Sequence, residues 1–257
     1  MKFKRFLLAA CLMFVFNLPL LSLADDSAKT IFENGNKAYA KGQYNDAISD
    51  YKKLVDDGYE SAAVFFNMGN AYDKNGDIPS AILYYEKAHK LAPGDDDINF
   101  NLRYANLKTT DRMDEVPEFF LGRWWRDVIL ISSADNLAIW SIVFTFIGSG
   151  VLVFYFFAGS VNLKKGAFYA SALLFFFGLA TLFMAGSQTS YFKSHHEAIV
   201  FSGAVNVKSG PADQATTLFV IHQGTKVNTL DTSNGWIKIT LANGNEGWIK
   251  PGDVKKI

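Results

Sequence analysis

The segments LAIWSIVFTFIGSGVLVFYFF (Leu137–Phe157) and GAFYASALLFFFGLATLFMAG (Gly166–Gly186) decide the fold of this chain. Each has 21 residues and no charged side chain, and as an α-helix would measure about 31 Å, enough to cross the hydrocarbon core of a bilayer. The alternative is a pair of buried core helices in a soluble protein, but such helices seldom run this long without a charge. We therefore predict a transmembrane helical hairpin, with spanning helices at 134–158 and 166–187 and a short cytoplasmic loop at 159–165.

Residues 1–24 have the pattern of a secretory signal peptide. Three basic residues stand among the first five, an apolar stretch follows, and Ser22-Leu23-Ala24 places small residues at both recognition positions of a cleavage site. An uncleaved N-terminal anchor is the alternative, although the two aspartates that come next favour cleavage. Cleavage would remove Cys11, the one cysteine, and would exclude cysteine catalysis and thiolate metal sites.

The signal peptide and the hairpin together predict a topology. An exported N-terminus followed by two crossings places both soluble segments outside the cytoplasm, so we expect a two-pass protein of the inner (cytoplasmic) membrane with periplasmic N- and C-terminal domains. Lys164 and Lys165 then lie on the cytoplasmic side, as the positive-inside tendency prefers. Basic and acidic residues number 25 each, so charge gives no indication of nucleic-acid binding.

Residues 28–95 repeat with a period of 34 residues. The second copy (62–95) has eight signature residues: Phe65, Met68, Gly69, Tyr72, Ala81, Tyr85, Ala88 and Pro93. The first copy (28–61) keeps Gly35, Ala47 and Tyr51. This pattern resembles the tetratricopeptide repeat, in which small residues let two antiparallel helices approach closely and large ones fill the space between them. We predict a repeat domain at 25–115 that ends in a capping helix at 96–110.

Two rows of side chains recur at the same repeat positions on the first helices. Phe32, Phe66 and Phe100 form one row, and Asn36, Asn70 and Tyr104 form the other. Rings offer desolvated anchors and amides pair with a partner's backbone, so these six residues predict a protein-binding groove. The alternative is that Phe32 and Phe100 only pack at the ends of a short array.

The stretch at 116–133 joins the repeats to the hairpin and is rich in aromatic residues. We predict an amphipathic helix on the lipid bilayer surface, with Trp124 and Trp125 at headgroup depth and Arg123 and Arg126 facing phosphates. The alternative is a linker docked on the repeat array.

After a linker at 188–196, residues 197–257 change to short alternating strands. Val205-Asn206-Val207-Lys208-Ser209-Gly210-Pro211, Gly235-Trp236 and Gly244 to Ile249 resemble the bacterial SH3 (SH3b) module. The resemblance implies a small all-β barrel, often used to bind peptides or cell-wall material. Trp236 and Trp248 are its candidate ligand surface, with core packing as the alternative for each.

No catalytic or metal-binding constellation is evident in the sequence. Four histidines occur; His195 and His196 are neighbours, but no further residue stands at metal-ligand spacing. Phosphate-binding loops and nucleophile elbows do not occur. The sequence thus predicts a multi-domain membrane protein without catalytic activity, metal or cofactor, built from an all-α repeat, a two-helix hairpin and an SH3-like barrel.

The order of these parts resembles the BatE family of the Bacteroides aerotolerance operon. The likeness is strongest at Pro117-Glu118-Phe119-Phe120, at Arg123-Trp124-Trp125 and from Gly224 to Trp248. The resemblance implies a non-enzymatic scaffold in an envelope complex, with von Willebrand factor A-type Bat proteins and indirectly a MoxR-type ATPase as partners, and a link to aerotolerance or stress tolerance. A second hypothesis is a cell-wall sensor or anchor whose SH3b domain binds peptidoglycan or peptide.

Overall fold

The computed structural model describes residues 26–113, 116–117 and 119–257, so the signal peptide expected at 1–24 lies outside the described residues. Eight α-helices lie in the described part: α1 (Asp26–Ala40), α2 (Tyr44–Asp56), α3 (Ala62–Lys74), α4 (Ile78–Leu91), α5 (Asp96–Asn106), α6 (Phe120–Ile129), α7 (Ala134–Phe157) and α8 (Val161–Ser194). Seven strands follow: β1 (Glu197–Val200), β2 (Ala204–Lys208), β3 (Thr217–His222), β4 (Lys226–Ser233), β5 (Trp236–Thr240), β6 (Glu246–Ile249) and β7 (Val254–Lys256).

The first four helices form two helical hairpins, α1–α2 and α3–α4, at the two predicted repeats. A Cβ atom added to Gly69 would lie 2.6 Å from the ring of Tyr85, and one added to Gly35 equally close to Tyr51. Only glycine therefore allows the two helices of each pair to approach this closely. The 34-residue period thus places the same close contact in both repeats.

Polar residues fix where the repeat helices begin. Asp77 accepts a hydrogen bond from the backbone N–H of Ser80 at 3.1 Å and so caps α4. Asp95 accepts from the N–H groups of Asp97 and Ile98 at 3.0 and 3.1 Å and caps α5. The predicted capping helix therefore forms, but it ends at Asn106, and the described residues between it and α6 contain no second helix of a third repeat.

Helices α7 and α8 pack side by side through small residues. The Ser141 hydroxyl donates to the Gly178 carbonyl at 2.8 Å, and a Cβ atom on Gly148 would lie 3.2 Å from Cβ of Leu174. Of the most apolar stretch of each helix only 17% is buried, whereas the core helices of a soluble protein are mostly buried. By length and composition both helices are able to cross a membrane.

The second hairpin helix is longer than the sequence prediction. It begins at Val161, so the loop expected at 159–165 shrinks to a turn around Gly159, with Ser160 accepting from the N–H of Leu163 at 3.3 Å as the N-cap. It also continues to Ser194 through most of the expected linker at 188–196. Neither proline nor glycine interrupts either extension, and charged residues such as Lys164 suit an exposed helix as well as a loop.

Helix α6 and the segment after it pack against the C-terminal part of α8. The side-chain amide of Gln188, 1% exposed, donates to the carbonyls of Ile129 at 2.5 Å and Ser132 at 2.8 Å. The Trp125 ring lies 5.7 Å from Phe183. The short segment that links α6 to α7 is thereby held against the hairpin.

The C-terminal strands form one antiparallel sheet in the order β3-β2-β6-β5-β4-β1-β7. Inward-facing residues alternate along the strands and build a core that includes Val205, Val207, Ile237, Ile239 and Ile249. The β5–β6 connection turns at Asn243-Gly244, a dipeptide typical of tight hairpins, where Gly244 has φ +82°.

Candidate functional site

An open groove of about 310 Å³ runs along the first helices of the array. Its lining residues are Tyr39, Asn70, Asp73, Lys74, Tyr85, Phe100, Asn101 and Tyr104. Three of the six residues predicted for the groove, Asn70, Phe100 and Tyr104, are among them. The volume lies at the lower end of the range for small-molecule sites and suits one or two anchoring side chains of a partner.

The predicted asparagines belong to a hydrogen-bonded ladder inside the array. Oδ1 of Asn36 accepts from the hydroxyl of Tyr51 at 2.7 Å and from Nδ2 of Asn67 at 2.9 Å. One repeat later, Oδ1 of Asn70 accepts from Tyr85 at 2.7 Å and from Nδ2 of Asn101 at 2.8 Å. The carbonyl oxygens of both predicted asparagines therefore hold repeats together.

The tyrosines of this ladder keep their protons. Burial raises the pKa of Tyr51 to about 12 and raises that of Tyr85 as well. Both hydroxyls thus remain hydrogen-bond donors at any physiological pH, and each asparagine can accept from them.

The aromatic row differs in exposure from one end of the array to the other. Phe32 and Phe66 are half-buried, with ring centroids 6.0 Å from those of Tyr51 and Tyr85. Phe100 is 61% exposed, because a third repeat would need a second helix to supply the equivalent tyrosine. Tyr104 is 52% exposed, and Nζ of Lys108 lies 4.4 Å above its ring. The exposed rings of the groove are therefore Phe100 and Tyr104.

Sequence reasoning missed several polar residues in and beside the groove. Asn67 and Asn101 are 34 residues apart, so the repeat period alone would have identified them as a third row. Asp73 and Lys108 form an ion pair of 2.6 Å beside Tyr104, and this pair has no equivalent in the repeat pattern. The position of this ion pair depends on how α5 packs against α3, which the repeat pattern does not encode.

The barrel docks on the exposed end of the array. Ile199 of β1 is fully buried in a cluster with Ile82 of α4 and Ala105 of α5. Ala105 is the repeat equivalent of Ala71, which packs between the two complete repeats. The barrel therefore covers the surface that the absent helix would otherwise cover.

A charged triad crosses the junction between the array and the barrel. Nζ of Lys226 lies 3.0 Å from a carboxylate oxygen of Glu86 on α4 and 3.2 Å from one of Glu197 on β1. Glu86 is 4% exposed. Burial opposes the charge of Lys226, but the two carboxylates outweigh it and raise the pKa of Lys226. Lys226 therefore stays charged and links α4 of the array to β1 of the barrel.

Asp111, between α5 and α6, forms a second link to the barrel. Its carboxylate accepts from the backbone N–H of His222 at 2.6 Å and from the Thr225 hydroxyl at 2.7 Å, and its other oxygen lies 2.8 Å from Nδ1 of His222. Partial burial disfavours its charge, but these hydrogen bonds lower the pKa of Asp111 below its usual value.

The two tryptophans predicted as a barrel ligand surface have different environments. Trp236 is 8% exposed and Nζ of Lys250 lies 5.3 Å from its ring centre, so this side chain belongs largely to the packed interior. Trp248 is half-buried on β6, in register with Lys208 of β2 and Lys238 of β5. Trp248 is the better placed of the two to meet a ligand.

Comparison with known proteins identifies two modules. Residues 62–95 match the family model for the tetratricopeptide repeat, and residues 203–255 match that for the bacterial SH3 domain. This chain combines both modules with two long apolar helices. Both module predictions are thus confirmed, and these modules typically bind proteins or peptidoglycan.

One similar protein is the photosystem I assembly protein Ycf3 of Acaryochloris marina. It is 28% identical over 107 residues, which cover 38% of this chain and 62% of that protein. The chain therefore spans less than two thirds of the length of this relative.

The residues predicted for the membrane interface lie on two faces of α6. Trp125 and Arg126 are half-buried, with Trp125 against Phe183 of the hairpin, whereas Trp124 is 60% exposed and Arg123 is also exposed. Phe119 and Phe120 are also exposed. One face of α6 thus packs against the hairpin, and the aromatic side chains outside that contact remain exposed.

Within the described residues, no group of three or more histidine, cysteine, aspartate or glutamate side chains is arranged to hold a metal ion. His195 stacks on Tyr191 with ring centroids 4.2 Å apart, and His222 is engaged by Asp111. His195 and His222 are thus both in contact with neighbouring side chains of the protein.

Proposed function

We propose that this protein is a non-enzymatic scaffold of the inner membrane whose repeat groove binds a partner protein on the periplasmic side. The observation that carries the proposal is the contrast between the two sides of the array. The barrel covers the end formed by α4 and α5, while the groove beside it keeps Phe100 and Tyr104 exposed. Exposed rings beside polar groups are typical of protein-binding hot spots.

The membrane part of the proposal is supported by the hairpin. A helix of 24 residues and one of 34 measure about 36 and 51 Å, and both expose apolar side chains around most of their circumference. Two crossings would return the chain to the side on which it started. The contact between array and barrel requires both domains to share one side, which agrees with that topology.

The proposed partners follow from the resemblance to the BatE family. They are von Willebrand factor A-type Bat proteins and, through them, a MoxR-type ATPase, in an envelope complex linked to aerotolerance or stress tolerance. The likeness to a protein named for assembly is compatible with a scaffold role.

The groove is tested by removing its two exposed rings. The double variant Phe100→Ala/Tyr104→Ala should bind the purified von Willebrand factor A-type partner at least about 30-fold more weakly, because truncation of a hot-spot ring costs 2 kcal/mol or more. Binding is measured with the full-length protein in nanodiscs by biolayer interferometry. Leu107→Ala is the control, since Leu107 is 66% exposed and does not line the groove. Equal affinities of wild type and double variant would reject the groove.

The second candidate function is a cell-wall sensor. It is favoured by the half-buried Trp248 between Lys208 and Lys238 on the outer surface of the barrel. Full-length protein in detergent should sediment with purified sacculi, and Trp248→Ala should reduce the sedimented fraction severalfold. Trp124→Ala serves as the matched control outside the barrel. No sedimentation above a sacculus-free sample would exclude this function.

A further inference from the structure

Helix α6 carries its large apolar side chains on one half of its circumference. With 3.6 residues per turn, that apolar half contains Phe120, Leu121, Trp124, Trp125, Val128 and Ile129. The opposite half contains Gly122, Arg123, Arg126 and Asp127. The short helix before the hairpin is therefore amphipathic, with all its charged residues on one side.

The hairpin covers only part of the apolar half of α6. Ile129 is buried, and Trp125 is half-buried against α8. Phe120, Leu121 and Trp124, further around the same half, are 66, 51 and 60% exposed. Large apolar side chains grouped in this way on a folded protein indicate a contact with lipid or with another protein.

Because the hairpin is proposed to cross a bilayer, its contact with α6 also indicates how deep α6 lies. The ring of Trp125 lies 5.7 Å from that of Phe183. Phe183 belongs to the uncharged run that ends at Gly186, and it precedes Gln188 by five residues, or about 7.5 Å along α8. Gln188 marks the level at which α7 begins, because it bonds to the Ser132 carbonyl. The Trp125 ring therefore lies at the depth of the acyl chains, below the headgroup level expected from the sequence.

Two features favour lipid as the occupant of the exposed apolar side of α6. Arg123 and Asp127 lie on the opposite half of the helix, so both charges stay toward water when the exposed rings enter the bilayer. Phe183 is itself 66% exposed, so the apolar surface of the hairpin continues through Trp125 onto α6. One leaflet of the bilayer would cover both surfaces at once.

The end of this segment also touches the repeat array. Gly94, in the connection between α4 and α5, lies so close to Ile131 that a Cβ atom there would overlap the Ile131 carbonyl group. Ile131 comes two residues after the end of α6. The depth of α6 therefore bears directly on the height of the array above the bilayer.

We propose that α6 is a partly inserted interfacial helix whose Phe120, Leu121 and Trp124 side chains contact the acyl chains of the periplasmic leaflet. Through the contact at Gly94, α6 holds the repeat array at a fixed height above that leaflet. This inference rests on the proposed membrane insertion of the hairpin. It differs from a helix that lies on the bilayer surface, because it places Phe120 below the lipid phosphates.

Spin labels on single cysteines measure this depth in the full-length protein, reconstituted alone in phosphatidylcholine liposomes. In a Cys11→Ala background, Phe120→Cys and Asp127→Cys carry the label at exposed positions on opposite halves of α6. Power-saturation EPR compares the accessibility of each label to oxygen and to a water-soluble nickel chelate. The oxygen-to-nickel ratio should be severalfold higher at position 120, since oxygen concentrates among acyl chains and the chelate stays in water.

A third label separates this inference from the proposed function. Ile147→Cys, half-exposed near the middle of α7, reports the hairpin itself. A water-accessible label at position 147 would overturn membrane insertion and the placement of α6 with it. With that label in the bilayer, equal ratios at positions 120 and 127 would overturn the insertion of α6 alone. A label at position 120 that is shielded from both reagents would identify a second copy of the chain as the occupant and would reject lipid.

Discussion

At the scale of single residues, the asparagines of the repeats show how one side chain serves two contacts. Asn70 uses a single oxygen to accept from the second helix of its own repeat and from the first helix of the next unit. Asn36 does the same one repeat earlier. Each of these oxygens joins two neighbouring units of the array. We therefore expect a substitution of Asn36 or Asn70 to weaken the stacking of the repeats first, ahead of any change in ligand binding.

Replacement of Asn70 by alanine should therefore destabilise the array. The hydroxyl of Tyr85 and the amide of Asn101 would each lose an acceptor, and an unsatisfied buried donor costs about 1–3 kcal/mol. Thermal unfolding of the detergent-solubilised chain, followed by circular dichroism, measures the effect. Asn45→Ala, at an exposed position, is the control. An unchanged melting temperature in the Asn70 variant would show that the ladder contributes nothing.

The carboxylate of Asp111 predicts a pH dependence of the junction. Its pKa is depressed in the folded protein, so its contribution is complete above its usual value of 3.8 and is lost as the pH falls through the lower folded value. Hydrogen exchange of the His222 amide, which donates to Asp111, reports it directly. Asp111→Ala should exchange faster than wild type at pH 7, and the difference should shrink in strongly acidic solution. A difference that is constant with pH would contradict this assignment.

At the scale of elements, the hairpin depends on small residues where the two helices touch. Ser141 and Gly148 face α8, and Thr145 lies beside Gly178. Ser149 instead bonds to the Thr145 carbonyl of its own helix, and Gly150 faces open space. The small residues of α7 therefore meet the partner helix along only part of its length.

Gly178→Leu should disrupt the hairpin. A Cβ atom at Gly178 would lie 2.8 Å from Oγ1 of Thr145 and 3.3 Å from the Ser141 carbonyl, so the helices would have to separate. Overpacking of this kind costs about 1–3 kcal/mol. Fluorescence-detected size exclusion after heating in detergent should show a lower melting temperature. Gly186→Leu adds the same side chain where open space surrounds the glycine and should change little; equal melting temperatures in the two variants would refute the contact.

At the scale of the whole molecule, the array and the barrel form one body on one side of the hairpin. The Glu86–Lys226–Glu197 triad and the Asp111 hydrogen bonds join residues that lie on either side of both long helices in sequence. A bilayer between the two domains would make these contacts impossible. The docked arrangement also leaves the barrel little freedom to move away from the array.

Labelling of single cysteines tests this arrangement in cells. In a Cys11→Ala background, cysteines at Lys52 and Gln214, both exposed, should react with a membrane-impermeant maleimide once the outer membrane is permeabilised. A cysteine at Lys165 should react only after the inner membrane is opened. Protection of either Lys52 or Gln214 together with reaction at Lys165 would reverse the topology.

The sequence by itself determined the modules. The 34-residue period fixes the repeat helices, because the same small and large residues must meet at each turn, and the two uncharged runs fix the long helices. It also determined the barrel strands, and the Asn-Gly turn that joins β4 to β5 is a local signal of the same kind, with φ +50° at Asn234 and +76° at Gly235. These features depend on local spacing, which a single chain displays directly.

Only the tertiary structure decided which predicted residues remain available. Phe66 lies against Tyr85, while Phe100 stays exposed because the barrel, and no helix, follows at the end of the array. Asp111 meets His222 across 111 positions of sequence. Contacts between residues this far apart depend on how complete domains fit together, and no periodicity in the chain encodes that fit.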